Sequence, residues 1–187
     1  MHDLAPLTPL GASAPRCDDI GPLRIAESPD WALASVSARP GQEASCKPAL
    51  AALIGAAPPD IARYTSGTQV NAFWIGPHSW MLEASHASHA DLAARASSAL
   101  GECASVTDQS DAWARFDLTG EGIARVMERL CNLDFAAMAA GMVRRSVVEH
   151  IGCHVIAHEP AHVTLYGPRS SAQSLHHALI TAARSVF

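Results

Sequence analysis

Val70-Asn71-Ala72-Phe73-Trp74-Ile75-Gly76-Pro77-His78-Ser79-Trp80-Met81-Leu82-Glu83-Ala84 is the stretch on which the reading of the fold turns. Residues 70–75 and 80–84 are short apolar runs with aromatic and β-branched members. Gly76-Pro77-His78-Ser79 between them has turn composition, so a β-hairpin is expected. Upstream, Trp31–Ser37 alternates apolar with small or polar residues, the pattern of a half-buried strand, and Pro40-Gly41 stops it. Pro48–Ile54 reads as a short helix ended by Gly55 and Pro58-Pro59. Downstream, His89–Leu100 is alanine-rich and reads as a helix closed by Gly101.

The same order then recurs. Trp113–Leu118 alternates cleanly as a strand. Ile123, Val126, Met127 and Leu130 fall at i, i+3, i+4 and i+7, which predicts a helix over 123–130. His154–Ala157 and Val163–Tyr166 are strands around the turn Glu159-Pro160, and Ser171–Arg184 is a final helix. Trp31 maps onto Trp113, Pro77 onto Pro160 and Leu92 onto Leu175, an offset of about 82 residues that is too long for a solenoid. The expected fold class is α+β: two similar β-α-β-β-α modules, residues 29–105 and 106–187, packed as one compact unit. Residues 1–28 carry Pro6, Pro9, Pro15 and Pro22, with Pro29 just beyond, and read as an extended arm, since proline excludes a long helix or a central strand.

Composition narrows the function. The chain has 187 residues, 49% hydrophobic and 17% charged, with a net charge of -5. Low charge with ordinary hydrophobicity excludes a disordered chain. With no basic excess, no nucleic-acid partner is expected. It also fits a subunit whose surface is partly covered in an assembly. The five cysteines (Cys17, Cys46, Cys103, Cys131, Cys153) are dispersed, odd in number and form no CxxC pair, which argues against a disulfide framework. No basic-then-apolar leader and no run of about 20 apolar residues occur. A reduced, cytoplasmic protein with no membrane partner is the expectation.

His158-Glu159-Pro160-Ala161-His162 formally matches HExxH. That motif binds zinc only on a helix, where histidines at i and i+4 share a face. Pro160 would cost a helix interior about 3 kcal/mol, and the β-branched flanks favour strands, so the protease reading is rejected. His150, His154, His158 and His162 recur every fourth residue, and with Cys153 nearby a surface metal site is conceivable. Gly152 and Pro160 interrupt any single element, and exposed strand and turn histidines are the plainer reading. Cys153 and His154 are neighbours in a strand and point to opposite faces, poor geometry for a nucleophile and its base. Neither GxGxxG, a P-loop nor Gly-x-Ser-x-Gly occurs. Arg144-Arg145 reads as a solvated pair in a loop. The four tryptophans (Trp31, Trp74, Trp80, Trp113) fall at strand positions, with core packing as their default role. No catalytic, cofactor-binding or metal-binding residue is assigned.

Together, Asn71–Leu82, Val106–Gly120, Cys131-Asn132-Leu133-Asp134-Phe135, Leu165–Leu175 and the start Leu4-Ala5-Pro6-Leu7 resemble the gamma subunit of heterotetrameric sarcosine oxidase. The resemblance runs from about residue 4 through the rest of the chain. That family is related to the folate-binding fold of the glycine-cleavage aminomethyltransferase and the YgfZ-type folate proteins. The resemblance implies a place beside alpha, beta and delta subunits. Such a complex oxidises sarcosine with oxygen to glycine and hydrogen peroxide, or passes the methyl carbon on as methylene-tetrahydrofolate. It also implies that FAD, FMN, NAD and tetrahydrofolate are held in the partner subunits. No acidic residue here sits in a context matching the folate-gripping Asp of the aminomethyltransferase; Asp108 and Asp111 read as turn or cap residues. The expected role is therefore a small non-catalytic subunit. A stand-alone folate-binding protein or aminomethyl transferase, and a histidine-rich metal binder built on His150–His162, are the alternatives.

Overall fold

The computed structural model describes residues 5–187, so Leu4 of the Leu4-Ala5-Pro6-Leu7 motif lies outside the described residues. In chain order its elements are β1 (Cys17–Ile20), β2 (Leu23–Glu27), β3 (Trp31–Ala38), α1 (Glu43–Ile54), β4 (Tyr64–Thr65), β5 (Asn71–Gly76), β6 (Ser79–Ser85), α2 (His86–His89), α3 (Leu92–Leu100), β7 (Ala104–Asp108), β8 (Trp113–Gly120), α4 (Ile123–Met127), β9 (Met142–Val148), β10 (Ile151–Glu159), β11 (His162–Pro168) and α5 (Ala172–Val186). The chain divides into two compact units. One is Asp30–Asp111; the other joins Ala112–Phe187 to the described residues that precede Asp30.

The unit Asp30–Asp111 holds a five-stranded antiparallel sheet in the order β4-β5-β6-β3-β7. Alternation decides its faces. Ala32, Ala34 and Val36 of β3 turn to the side where Trp80, Leu82 and Ala84 of β6 lie. There they meet Cys46, Leu50 and Ile54 of α1 and Leu92, Ala96 and Leu100 of α3. Both helices present residues four apart, one face of an α-helix. The hairpin expected at 70–84 forms with Phe73 opposite Met81 and Trp74 opposite Trp80. Its turn, Pro77-His78, places His78 at φ 53°, in the left-handed region.

The other unit holds a six-stranded antiparallel sheet in the order β1-β2-β8-β11-β10-β9. Ala114, Phe116 and Leu118 of β8, Val163 and Leu165 of β11, and Cys153 and Val155 of β10 face α4 and α5. They pack there against Val126, Met127, Leu175 and Leu179. Read from β9, the order β9-β10-β11-β8-β2 matches β4-β5-β6-β3-β7 strand for strand. The strand beside β3 follows helix α3 in the chain, whereas the strand beside β8 comes from near the N-terminus.

Several expectations are corrected. Residues 17–27 are not an extended arm: β1 and β2 form a hairpin, and β2 is an interior strand. Pro15, Pro22 and Pro29 all fall just outside the two strands, so none removes a ladder donor, and Leu23 and Ile25 are 1% exposed in the core. The division between units falls after Asp111 rather than after residue 105, because β7 pairs with β3. Helix α1 begins at Glu43, five residues before the expected start, with Pro48 inside it. The expected helix 89–100 is two pieces, α2 and α3, and α4 ends at Met127. Arg144-Arg145 lies in strand β9, not in a loop. Of the four tryptophans only Trp80 is buried; Trp31, Trp74 and Trp113 are half-buried.

Candidate functional site

Strand alternation builds the main polar cluster of the second unit. Ala114, Phe116 and Leu118 point to the helices, so Arg115 and Asp117 point to the opposite face. On the neighbouring strand Thr164 lies opposite Asp117, and Tyr166 opposite Arg115. Arg115 donates Nε and Nη2 to Asp117 at 3.1–3.2 Å and Nη1 to the Tyr166 hydroxyl at 3.0 Å. Thr164 donates to Asp117 Oδ1 at 2.5 Å, and Ser28 donates to Oδ2 at 2.6 Å. Arg115 is 7% exposed and the Asp117 side chain 18%.

The carboxylate is thus surrounded by donors. Burial alone would raise its pKa; the Arg115 charge and the hydrogen bonds from Arg115, Ser28 and Thr164 outweigh that and hold it below the usual carboxylate range. A carboxylate so enclosed is a fixed anion that organises the strands, not a base waiting for a proton.

Two of the four spaced histidines join this cluster. His158 Nε2 lies 3.0 Å from Thr164 Oγ1, and its ring is 4.5 Å from that of His162. His162 Nε2 is 3.7 Å from Asp117 Oδ1. His154 shares a face with His158 but lies farther along β10, with its ring 5.2 Å from Trp113. Burial, aided by the Arg145 charge opposite, pushes it down to about 4. His150 sits in the turn between β9 and β10. Among the described residues no three or more His, Cys, Asp or Glu side chains are grouped to hold a metal. Pro160-Ala161 forms the turn between β10 and β11, so the two histidines of the HExxH match stand across a hairpin. Cys153 belongs to the helix-side core while His154 lies on the other face.

The two buried thiols, Cys46 and Cys153, are unsuited to attack. Burial lifts Cys153 to about 12, with Cys131 nearby adding to it. Burial and the neighbouring Cys103 lift Cys46 to about 11. Nucleophilic thiols need the opposite shift. Asp108 is a turn residue: Oδ1 accepts from the backbone N–H and the hydroxyl of Ser110 at 2.9 and 2.8 Å.

In the unit Asp30–Asp111 the comparable buried acid is Glu83, 1% exposed. Its Oε1 accepts from the Tyr64 hydroxyl at 2.9 Å and from Asn71 Nδ2 at 3.4 Å. Each unit carries an open cleft among the described residues. A cleft of about 590 Å³ runs along α5 between Arg129, Glu149, Gln173, His177 and Thr181. The other, about 320 Å³, lies between Lys47, Asp60, Ile61, Trp74, His78 and Trp80. Among the described residues no buried side-chain N or O lacks a hydrogen-bond partner.

The cluster of Ser28, Arg115, Asp117, Thr164 and Tyr166 was not singled out from the sequence. Its one sequence signal is the spacing Arg115-x-Asp117 on a strand whose alternate residues are wholly apolar. Opposite charges two apart on one strand face, with a buried reverse face, mark a polar cluster.

No protein-family model matches the sequence, and no curated protein matches it either. Solved structures do. A chain of the heterotetrameric sarcosine oxidase from Corynebacterium sp. U-96, determined in complex with pyrrole 2-carboxylate, aligns over 90% of this chain and 87% of its own, with a TM-score of 0.78 at 21% identity. The glycine cleavage system aminomethyltransferase T from Bartonella henselae aligns over 84% of this chain and 48% of its own, with a TM-score of 0.60 at 15% identity. This chain therefore spans about half the length of that enzyme. At these identities the likeness is one of fold, and the chain has the mixed α+β fold that the sarcosine oxidase chain and half of the aminomethyltransferase share.

Proposed function

We propose that this chain is a non-catalytic subunit, of the gamma type, in a cytoplasmic heterotetrameric sarcosine oxidase. The observation that carries the reading is the alignment over nearly the whole of both chains, at a TM-score of 0.78. The side-chain chemistry supports it from a second direction. Asp117 is enclosed by donors, His154 is held neutral at pH 7, and Cys46 and Cys153 are pushed far above it. General acid–base and nucleophilic catalysis need groups poised near the working pH.

On this reading FAD, FMN, NAD and tetrahydrofolate are held in the partner subunits, and no chemical step is assigned to this chain. Its contribution is to complete the assembly.

Affinity capture of the tagged full chain from its native host tests the proposal. Flavin-coloured material containing three further chains, and forming hydrogen peroxide on addition of sarcosine, is the expected result. A colourless protein captured alone would overturn it. Calorimetric titration of that lone protein with tetrahydrofolate would then separate a folate-binding protein from one that binds no folate.

A further inference from the structure

Strand β9 is an outer strand of its sheet. With seven residues it is the longest open edge among the described residues: β1 has four, β4 two and β7 five. No proline interrupts it, and its pairing with β10 shows no register shift. Val148 faces Ile151 across the two-residue turn Glu149-His150. In such a hairpin the pair flanking the turn exchanges both backbone bonds, and bonded and non-bonded pairs alternate from there. The backbone groups of Arg144, Ser146 and Val148 therefore face β10, and those of Val143, Arg145 and Val147 face outward. The Val143 carbonyl accepts from Arg144 Nη1 at 2.9 Å. Among the described residues nothing bonds the outward N–H groups of Arg145 and Val147.

The side chains give this edge a character. Arg145 is exposed, and Val147 is 56% exposed, one of the few large apolar side chains on the surface. Neither Arg144 nor Arg145 forms an ion pair among the described residues, in a chain whose net charge is -5. Two-fold antiparallel pairing with the β9 of a second copy would bring arginines against arginines, and like charges facing across a strand pair are destabilising. Arg145 and Val147 share one face of β9 and Arg144 lies on the other. An incoming strand with acidic residues at two consecutive positions, opposite Arg144 and Arg145, would instead neutralise both arginines, and an apolar residue two positions from the second acid would pack beside Val147.

We infer that the open edge of β9 accepts an extended acidic segment of a partner chain by strand addition. Outward backbone groups would supply the hydrogen bonds, and Arg144 and Arg145 the selection for carboxylates. The inference rests on β9 alone and stands apart from the oxidase reading.

The test uses the full chain, isotope-labelled, with backbone amide exchange followed by NMR during titration with two synthetic seven-residue peptides. One is Thr-Val-Thr-Glu-Glu-Val-Thr, which in antiparallel pairing sets its two glutamates opposite Arg145 and Arg144 and its first valine beside Val147; the other, the lysine peptide, has both glutamates replaced by lysine. The glutamate peptide should slow exchange at Arg145 and Val147 by about tenfold or more, and the lysine peptide should leave both unchanged. Arg145→Pro removes an outward N–H without removing a ladder bond, so it should abolish the protection while Ser146 and Val148 stay protected. The double variant R144E/R145E should reverse the preference to the lysine peptide, and it carries the test if the proline variant does not fold. The inference is overturned if millimolar glutamate peptide leaves Arg145 and Val147 unprotected, or if both peptides protect equally. Protection that rises with protein concentration in the absence of peptide would assign the edge to a second copy and overturn it as well.

Discussion

Asp117 stands where hydrogen bonds from Arg115 of its own strand, Thr164 of β11 and Ser28 converge, and its replacement tests that arrangement directly. Asp117→Asn keeps the size but leaves Arg115, 7% exposed, without its counter-ion, and turns an acceptor into a donor among donors. Removing one partner of a buried pair costs about 3–5 kcal/mol, and the partial exposure of Asp117 places the expected loss near the lower end. Urea unfolding of the variant should show it; an unchanged midpoint would mean that the carboxylate is not holding the strands. His154 gives the pH dependence. Its ordinary value is 6.5 and burial lowers it to about 4, so the folded chain keeps it neutral where the unfolded chain would protonate it. The stability from this group is complete above pH 6.5 and is lost as pH falls towards 4, by about 3 kcal/mol over the whole window. Unfolding free energies measured at pH 7.5 and pH 5 should differ in that direction, and His154→Gln should flatten the difference. A native state that strengthens on acidification would contradict the assignment.

At the scale of elements, α1 carries the clearest local conflict. Pro48 lies exposed inside the helix, where it removes a backbone bond and crowds the carbonyl four residues back. Pro48→Ala should stabilise the chain by about 1–3 kcal/mol, read as a rise in Tm; a fall would mean that the ring packs against something the helix needs. The same proline explains why the sequence suggests a helix only from residue 48: five earlier residues join because Cys46, Leu50 and Ile54 share a buried stripe, and burial outweighs the local penalty. The hairpin at 71–85 was readable because its turn residues and its two apolar runs agree. β9 was not, since Arg144-Arg145 breaks the alternation, which an edge strand tolerates because one of its sides faces water. β1 and β2 were hidden for a different reason. Their prolines lie in the turns around them, while the density of proline in the segment suggests no strand at all. The polar cluster at Asp117 was only partly legible. The Arg115-x-Asp117 spacing gives a shared face, but Ser28, 89 residues away, and Thr164, 47 away, enter through tertiary pairing that no local pattern carries.

For the whole molecule, the two sheets share one strand order, yet the strand beside β8 comes from the opposite end of the chain to the helices it packs with. The unit containing Ala112–Phe187 is therefore incomplete without residues 17–27. Deleting residues 1–28 should remove Leu23 and Ile25 from the core, each worth about 1.5–3 kcal/mol of burial, together with the Ser28 bond to Asp117. Loss of dispersed NMR signals from residues 112–187 is the expected outcome. A chain that keeps them would show that β2 is dispensable to its sheet. The central claim is that this chain completes a sarcosine-oxidising assembly without supplying a reacting group. It is tested most directly by the rate of sarcosine-dependent peroxide formation per bound flavin in the captured assembly. The comparison is between the native chain and the double variant His158→Gln/His162→Gln, which alters the two cluster histidines that are only partly buried. The account predicts a kcat per flavin unchanged within about twofold. A fall of about a hundredfold or more in an intact, flavin-loaded assembly, or no response to sarcosine at all, would contradict it.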